Sequence, residues 1–238
     1  KDKRVIVVGP SNHLLNSGAG ATIDEFDVII RTKWHETLPL TKWKGGKYAK
    51  DIGGRTDVIY GSTSFKNLNK LGPGGDIQKC FTKGNLKHYR VPEPNRDKDH
   101  FYTELLECGT LYTEFTNKEY GKEFQKRLGT EDMKIWPQLG FNALMEAIAS
   151  DASEVFVTGM TMYHGGGHMF QKNKPDWHLQ PVKGKHNGIL ELQILLECCF
   201  LLKEKVKIDN VLDFILGSYV EDKSTEYIIN EISKTYGV

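Results

Sequence analysis

The residues Val5-Ile6-Val7-Val8-Gly9-Pro10-Ser11-Asn12 decide how this chain is read. Four consecutive β-branched residues ending in glycine predict a strand buried on both faces, the pattern of a parallel sheet. A glycine turn straight after a first strand is where α/β proteins hold phosphates, at the carboxyl edge of the sheet. The turn is followed by Ser17-Gly18-Ala19-Gly20, and the spacing is not Gly-x-Gly-x-x-Gly, which argues against a dehydrogenase.

Outward from this turn the pattern repeats. Asp27 to Arg31 predicts a second strand with a basic end, Val58 to Tyr60 a third after the polar turn Asp51 to Asp57, and Asn85 to Val91 a fourth. Leu71 to Gly75 is a glycine-proline loop, and Phe101–Cys108 and Lys118–Leu128 read as helices. Pro137-Gln138-Leu139-Gly140 opens a helix over 141–150, with apolar residues at Phe141, Leu144, Met145 and Ile148. Val155 to Gly159 is another strand ending in glycine. Residues 161–185 carry three consecutive glycines and His164, His168 and His178, and read as a mobile loop over a site. Helices are expected at 187–204, 209–217 and 223–234. The expectation is one α/β, Rossmann-like catalytic domain over residues 1–238, a mainly parallel sheet flanked by helices, with a helical C-terminal part from about 187 to 238.

The 238 residues are 39% apolar, enough for a sizeable core. Lys plus Arg number 32 and Asp plus Glu 31, a net charge of +1 that argues against nucleic acid as a partner. Cys80, Cys108, Cys198 and Cys199 form no Cys-x-x-Cys pair, so zinc is not expected. No apolar run is long enough to span a membrane. A complete chain of this composition would be cytoplasmic; a trimmed fragment of a eukaryotic-type enzyme would come from the Golgi membrane.

His186 stands five residues before Glu191, at the entrance to an apolar helix. A neutral imidazole titrating near the working pH suits a general base, and its place after strand, glycine turn and second loop is that of a nucleotide-dependent transferase. Asp97-Lys98-Asp99 matches the Asp-x-Asp pattern of metal-dependent transferases, but it lies in a polar run before a helix and reads as a solvated helix start.

Taken in order, these segments resemble the sialyltransferases of glycosyltransferase family 29 and their four sialylmotifs. The large motif is matched by Val7 to Ser11, Ile23 to Arg31 and Asp51 to Thr56, and the small motif by Pro137 to Met145 and the strand through Gly159. The third motif begins at His168, and the very small motif runs from His186 to Glu191. Bacterial sialyltransferases of family 42 share the layout, but Asp51 to Thr56 and the His-x4-Glu spacing fit family 29 better. The resemblance implies a Rossmann-like fold and inverting transfer from a CMP-activated sugar, normally CMP-sialic acid, to a glycan hydroxyl, with no metal and no other cofactor. It implies His186 and His168 as catalytic and Glu191 as supporting. Gly9, Pro10, Ser11, Asn12, Arg31, Lys33, Gln138, Leu139, Gly140, Gly159, Met160 and Thr161 would surround the nucleotide and donor.

The chain departs from the family at the donor loops. Pro10 and Lys33 stand where asparagines are usual, and Gln138-Leu139 where Ser-Thr is usual. Lys33 can serve a phosphate as a point charge, and Gln138 can donate to a carboxylate. The two cysteines that animal members pair between motifs are absent, Val5 standing at the first, which favours a microbial, viral or atypical member. A donor such as CMP-Kdo, or a non-catalytic nucleotide- or glycan-binding protein, are the alternatives.

Overall fold

The structure, a computed structural model, describes residues 1–32, 48–60, 88–92, 111–115, 137–165, 182–183 and 186–236. In chain order the strands are β1 (Arg4–Val8), β2 (Val28–Thr32), β3 (Val58–Tyr60), β4 (His88–Pro92), β5 (Leu111–Phe115), β6 (Glu154–Thr158), β7 (Val182–Lys183), β8 (His186–Asn187) and β9 (Val206–Ile208). Seven of them form one sheet in the order β5-β4-β3-β2-β1-β6-β9, every neighbouring pair parallel. β7 and β8 form a separate antiparallel ribbon, Lys183 opposite His186.

β1 is central because it can be. Val5 to Val8 are all buried, so neither face can be turned to water, and neighbours sit on both sides: Val5 is in register with Val28 of β2 and Val155 of β6. From β1 the sheet grows stepwise to β5, and the chain then returns to the other side of β1 to lay down β6 and β9. The winding reverses between β1 and β6, and that crevice is where doubly wound sheets bind ligands.

The described helices are α1 (Gly20–Asp24), α2 (Ala49–Ile52), α3 (Leu139–Ala149), α4 (Gly188–Leu201), α5 (Asn210–Val220) and α6 (Thr225–Tyr236). α3 packs on β1, β2, β3 and β6. Its buried residues, among them Leu139, Phe141, Leu144 and Ile148, recur at helical spacing, which gives it the apolar stripe that a sheet-covering helix needs. α5 and α6 join the same core through Ile215, Leu216, Ile228 and Ile232. Among the described residues no helix is long and apolar enough to cross a membrane.

The α/β reading holds, and so do the strands at Val5, Val28, Val58 and Val155 and the helix after Gln138. Differences lie in short elements. β9 is three residues among lysines, Val206-Lys207-Ile208, and earns its place only by pairing with β6. The Asp51–Asp57 turn begins inside a helix, because α2 ends at Ile52 and Gly53 reverses the chain at φ +75°. The 71–75 loop, the helices expected at 101–108 and 118–128, Asp97 to Asp99, Cys80, Cys108 and most of the 161–185 loop, with His178, lie outside the described residues.

Candidate active site

The carboxyl ends of β1 and β6 turn in contact with each other. The Gly9 N–H donates to the Thr158 carbonyl (2.8 Å) and the Ser11 N–H to the Gly159 carbonyl (3.0 Å). A Cβ on Gly9 would lie 2.2 Å from the Gly159 oxygen, and one on Gly159 would lie 2.5 Å from the Gly9 oxygen. Two backbones this close leave no room for a side chain. The glycines are therefore required by the winding of the sheet; Pro10-Ser11-Asn12 follow one of them in sequence and Met160-Thr161 the other.

Two residues that sequence reasoning missed hold this crevice from behind. Asp209, between β9 and α5, caps α5 by accepting from the Leu212 N–H (2.8 Å). Its second oxygen accepts from Thr158 Oγ1 (2.7 Å) and the Gly159 N–H (3.0 Å) and lies 3.0 Å from His13 Nε2. His13 Nδ1 is 3.0 Å from Ser11 Oγ. One carboxylate thus joins both glycine turns to the C-terminal helices. Burial alone would raise the Asp209 carboxyl, but the hydrogen bond and charge of His13, with the Leu212 and Thr158 donors, outweigh it and hold the group below its usual value. The only sequence hints were a histidine in the first loop and an Asp-Asn helix start 196 residues later.

The opposite wall comes from α3 and α4. A Cβ on Gly140 would meet Met160 Cε at 3.2 Å and Thr32 Oγ1 at 3.7 Å, which places the start of α3 against the β6 turn and the end of β2. The Gln138 N–H donates to Glu191 Oε1 at 2.6 Å, and Glu191 is fully buried. A carboxylate in the first turn of α4 thus fixes the turn that opens α3. His186 is half-buried in β8, and Asn187 caps α4 through the Leu190 N–H (3.2 Å). His186 therefore enters the helix from a strand, and the helical spacing between it and Glu191 does not apply. The Asn12 side-chain oxygen and the Gln138 side-chain nitrogen are buried without a hydrogen-bond partner among the described residues.

Arg31 has its described hydrogen bonds on the protein itself. It is 2% exposed, and its guanidinium donates to the Ile52 carbonyl (2.6 Å), the Arg55 carbonyl (2.9 Å) and Thr56 Oγ1 (2.8 Å). Burial lowers it to about 10, against the opposing pull of Asp24 and Asp57. These bonds tie β2 to the Gly53–Thr56 turn. Lys33 and His168 lie outside the described residues.

Past Thr161 the chain turns sharply, with Met162 and Tyr163 at φ 46° and 64°. Burial, and the Glu191 carboxylate beside it, push the Tyr163 hydroxyl up to about 12. His164 is 1% exposed, and burial pushes it down to about 4 despite the Met162 and Thr161 backbone bonds. It is a neutral structural histidine. A base whose folded pKa is depressed destabilises the fold as it charges, so its effect is absent above about pH 6.5 and grows as pH falls toward 4. Urea titrations at pH 7 and pH 5 are expected to differ by about 2 kcal/mol from this residue, and His164→Gln is expected to flatten that part of the slope.

Among the described residues no three His, Cys, Asp or Glu side chains form a group that could hold a metal ion. Residues 2–101 match the family model described as glycosyltransferase family 29 (sialyltransferase). No curated protein sequence matches the chain. Two solved structures share its fold. A mammalian sialyltransferase in complex with Gal-beta-1-3GalNAc-ortho-nitrophenol aligns with TM-score 0.53 and 13% identity, over 87% of this chain and 69% of that one. A second mammalian sialyltransferase structure aligns with TM-score 0.50 and 14% identity over the same shares. Residues 2–101, which carry the first glycine turn, thus resemble glycosyltransferase family 29, and the sheet they open is wound as in those sialyltransferase structures.

Proposed function

We propose that the protein is an inverting sialyltransferase that moves sialic acid from CMP-sialic acid to a hydroxyl of a galactoside-type glycan, without a metal ion. The observation that carries this reading is the convergence of separate segments on one crevice: Gly9 against Gly159, Met160 against Gly140, and Glu191 bonded to Gln138. In this reading the turns at Gly9 to Asn12 and Gly159 to Thr161 receive the CMP phosphate. The unpartnered Asn12 oxygen and Gln138 nitrogen supply an acceptor and a donor for ligand groups. His186 takes the proton from the attacking hydroxyl, and His168, with Ser11 and Lys33, stabilises the leaving phosphate.

The test is CMP release from CMP-sialic acid in the presence of a galactoside acceptor. Acceptor-dependent release supports the reading. Tight CMP binding with no transfer to any glycan would replace it with a binding protein. The Gln138 nitrogen suits a donor-sugar carboxylate, which sialic acid shares with other keto sugars, so CMP-Kdo is the second donor to compare. A larger thermal stabilisation by CMP-Kdo than by CMP-sialic acid would reassign the donor.

A further inference from the structure

The chain Ser11–His13–Asp209 has the order of a hydroxyl–imidazole–carboxylate relay, but Ser11 and His13 are buried and Asp209 half-buried at the glycine turns. Their hydrogen-bond valences constrain one another. Asp209, ionised, can only accept, so His13 Nε2 must carry a hydrogen. In the neutral imidazole Nδ1 is then an acceptor, and the Ser11 hydroxyl must donate its single hydrogen inward to it. In the imidazolium Nδ1 is a donor; the Ser11 oxygen accepts, and its O–H is released to point elsewhere.

We propose that His13 and Asp209 are positioning residues that set the direction of the Ser11 hydroxyl, so that an anion bound at the Gly9–Asn12 turn and a proton on His13 favour each other. The inference rests on the reading of that turn as the donor-phosphate site. An anion there gains a hydrogen-bond donor only when His13 is charged, and a charged His13 is favoured when the released O–H finds an anion. Asp209 holds the imidazole in one tautomer and balances its charge. The Tyr236 ring lies 6.0 Å from the His13 ring. Beyond Asp209 and Tyr236, the charged residues lining the cavity of about 640 Å³ beside His13 are Lys207, Arg4 and Glu154. Arg4 and Glu154 are paired with each other at 3.2 Å, and Lys207 Nζ donates to the Lys203 carbonyl.

The coupling is measurable without turnover. The probe is cytidine 5′-(methyl phosphate), a phosphodiester that keeps one negative charge through the neutral range, so the ligand contributes no proton of its own. Wild type is expected to bind it more weakly as pH rises and the imidazole gives up its proton, by up to about tenfold per unit. Calorimetry in two buffers of different ionisation enthalpy should show uptake of up to one proton. Ser11→Ala should bind about tenfold more weakly at low pH, the loss of one charge-assisted donor, with little pH dependence left. His13→Gln keeps a donor for Asp209 but cannot take a proton, and should fold and bind with a flat pH profile. A wild-type affinity that does not change with pH, or a slope that survives Ser11→Ala, overturns the inference and leaves the donor reading standing. A wild type that does not bind the probe at any pH overturns both. A slope that survives His13→Gln assigns the proton to another group and overturns this one.

Discussion

His186→Ala is expected to slow transfer by about 10²–10⁴-fold while leaving affinity for CMP nearly unchanged. The hydroxyl of a sugar is a poor nucleophile until its proton is accepted, and the group that accepts it acts only in the transition state. Its removal should therefore appear in kcat and not in donor binding. The acid limb of the pH–rate profile, which reports the base's own protonation, should vanish with it. The fold is expected to tolerate the change, since His186 is half-buried in a two-residue strand, outside the main sheet and before the Asn187 cap. The check is steady-state kinetics beside a CMP titration. A variant within tenfold of wild type, or one whose loss lies wholly in CMP affinity, would remove His186 from the proposed role.

Gly159→Ala is expected to destabilise the fold by about 3–5 kcal/mol. Two costs add. The residue sits at φ +70°, where a Cβ is strained, and that Cβ would lie 2.5 Å from the Gly9 oxygen and 2.7 Å from Leu14 Cδ1. Neither neighbour can retreat easily, since Gly9 is held to Thr158 and Leu14 is buried. Gly18 is the control, because it has φ +68° but nothing within 4 Å of its Cβ position. Gly18→Ala should cost only the backbone strain, about 1 kcal/mol. Urea unfolding of the pair separates conformation from close approach, and equal losses would show that the two turns do not meet as described.

The parts legible in sequence were those in which one residue's chemistry dictates its place. Val5 to Val8 cannot face water on either side, so the strand and the parallel sheet followed. Gly9 and Gly159 each ended such a strand, and the crevice between them followed from the winding. What was not legible depends on partners far along the chain. His13 and Asp209 are ordinary alone, a loop histidine and a helix cap, and become a unit only when β9 brings position 209 behind position 13. Arg31 is a second case. Its basic strand end is legible in sequence, but the Gly53 turn that brings three hydrogen-bond acceptors within reach of the guanidinium and buries it is not. His186 and Glu191 stand five residues apart in sequence, and the strand before α4 places them in different elements.

The position of β1 also bears on how the polypeptide comes to be folded. Its neighbour on one side, β2, follows within about twenty residues, but on the other side Val5 waits for Val155. Until the ribosome has delivered β6, the most apolar strand of the molecule has an open edge, and that edge is a template for another nascent chain. Fragments that stop short of residue 158 should therefore be recovered as aggregates, including one that carries the whole of residues 2–101. Chaperone protection during synthesis should matter most in the interval between the first glycine turn and the second.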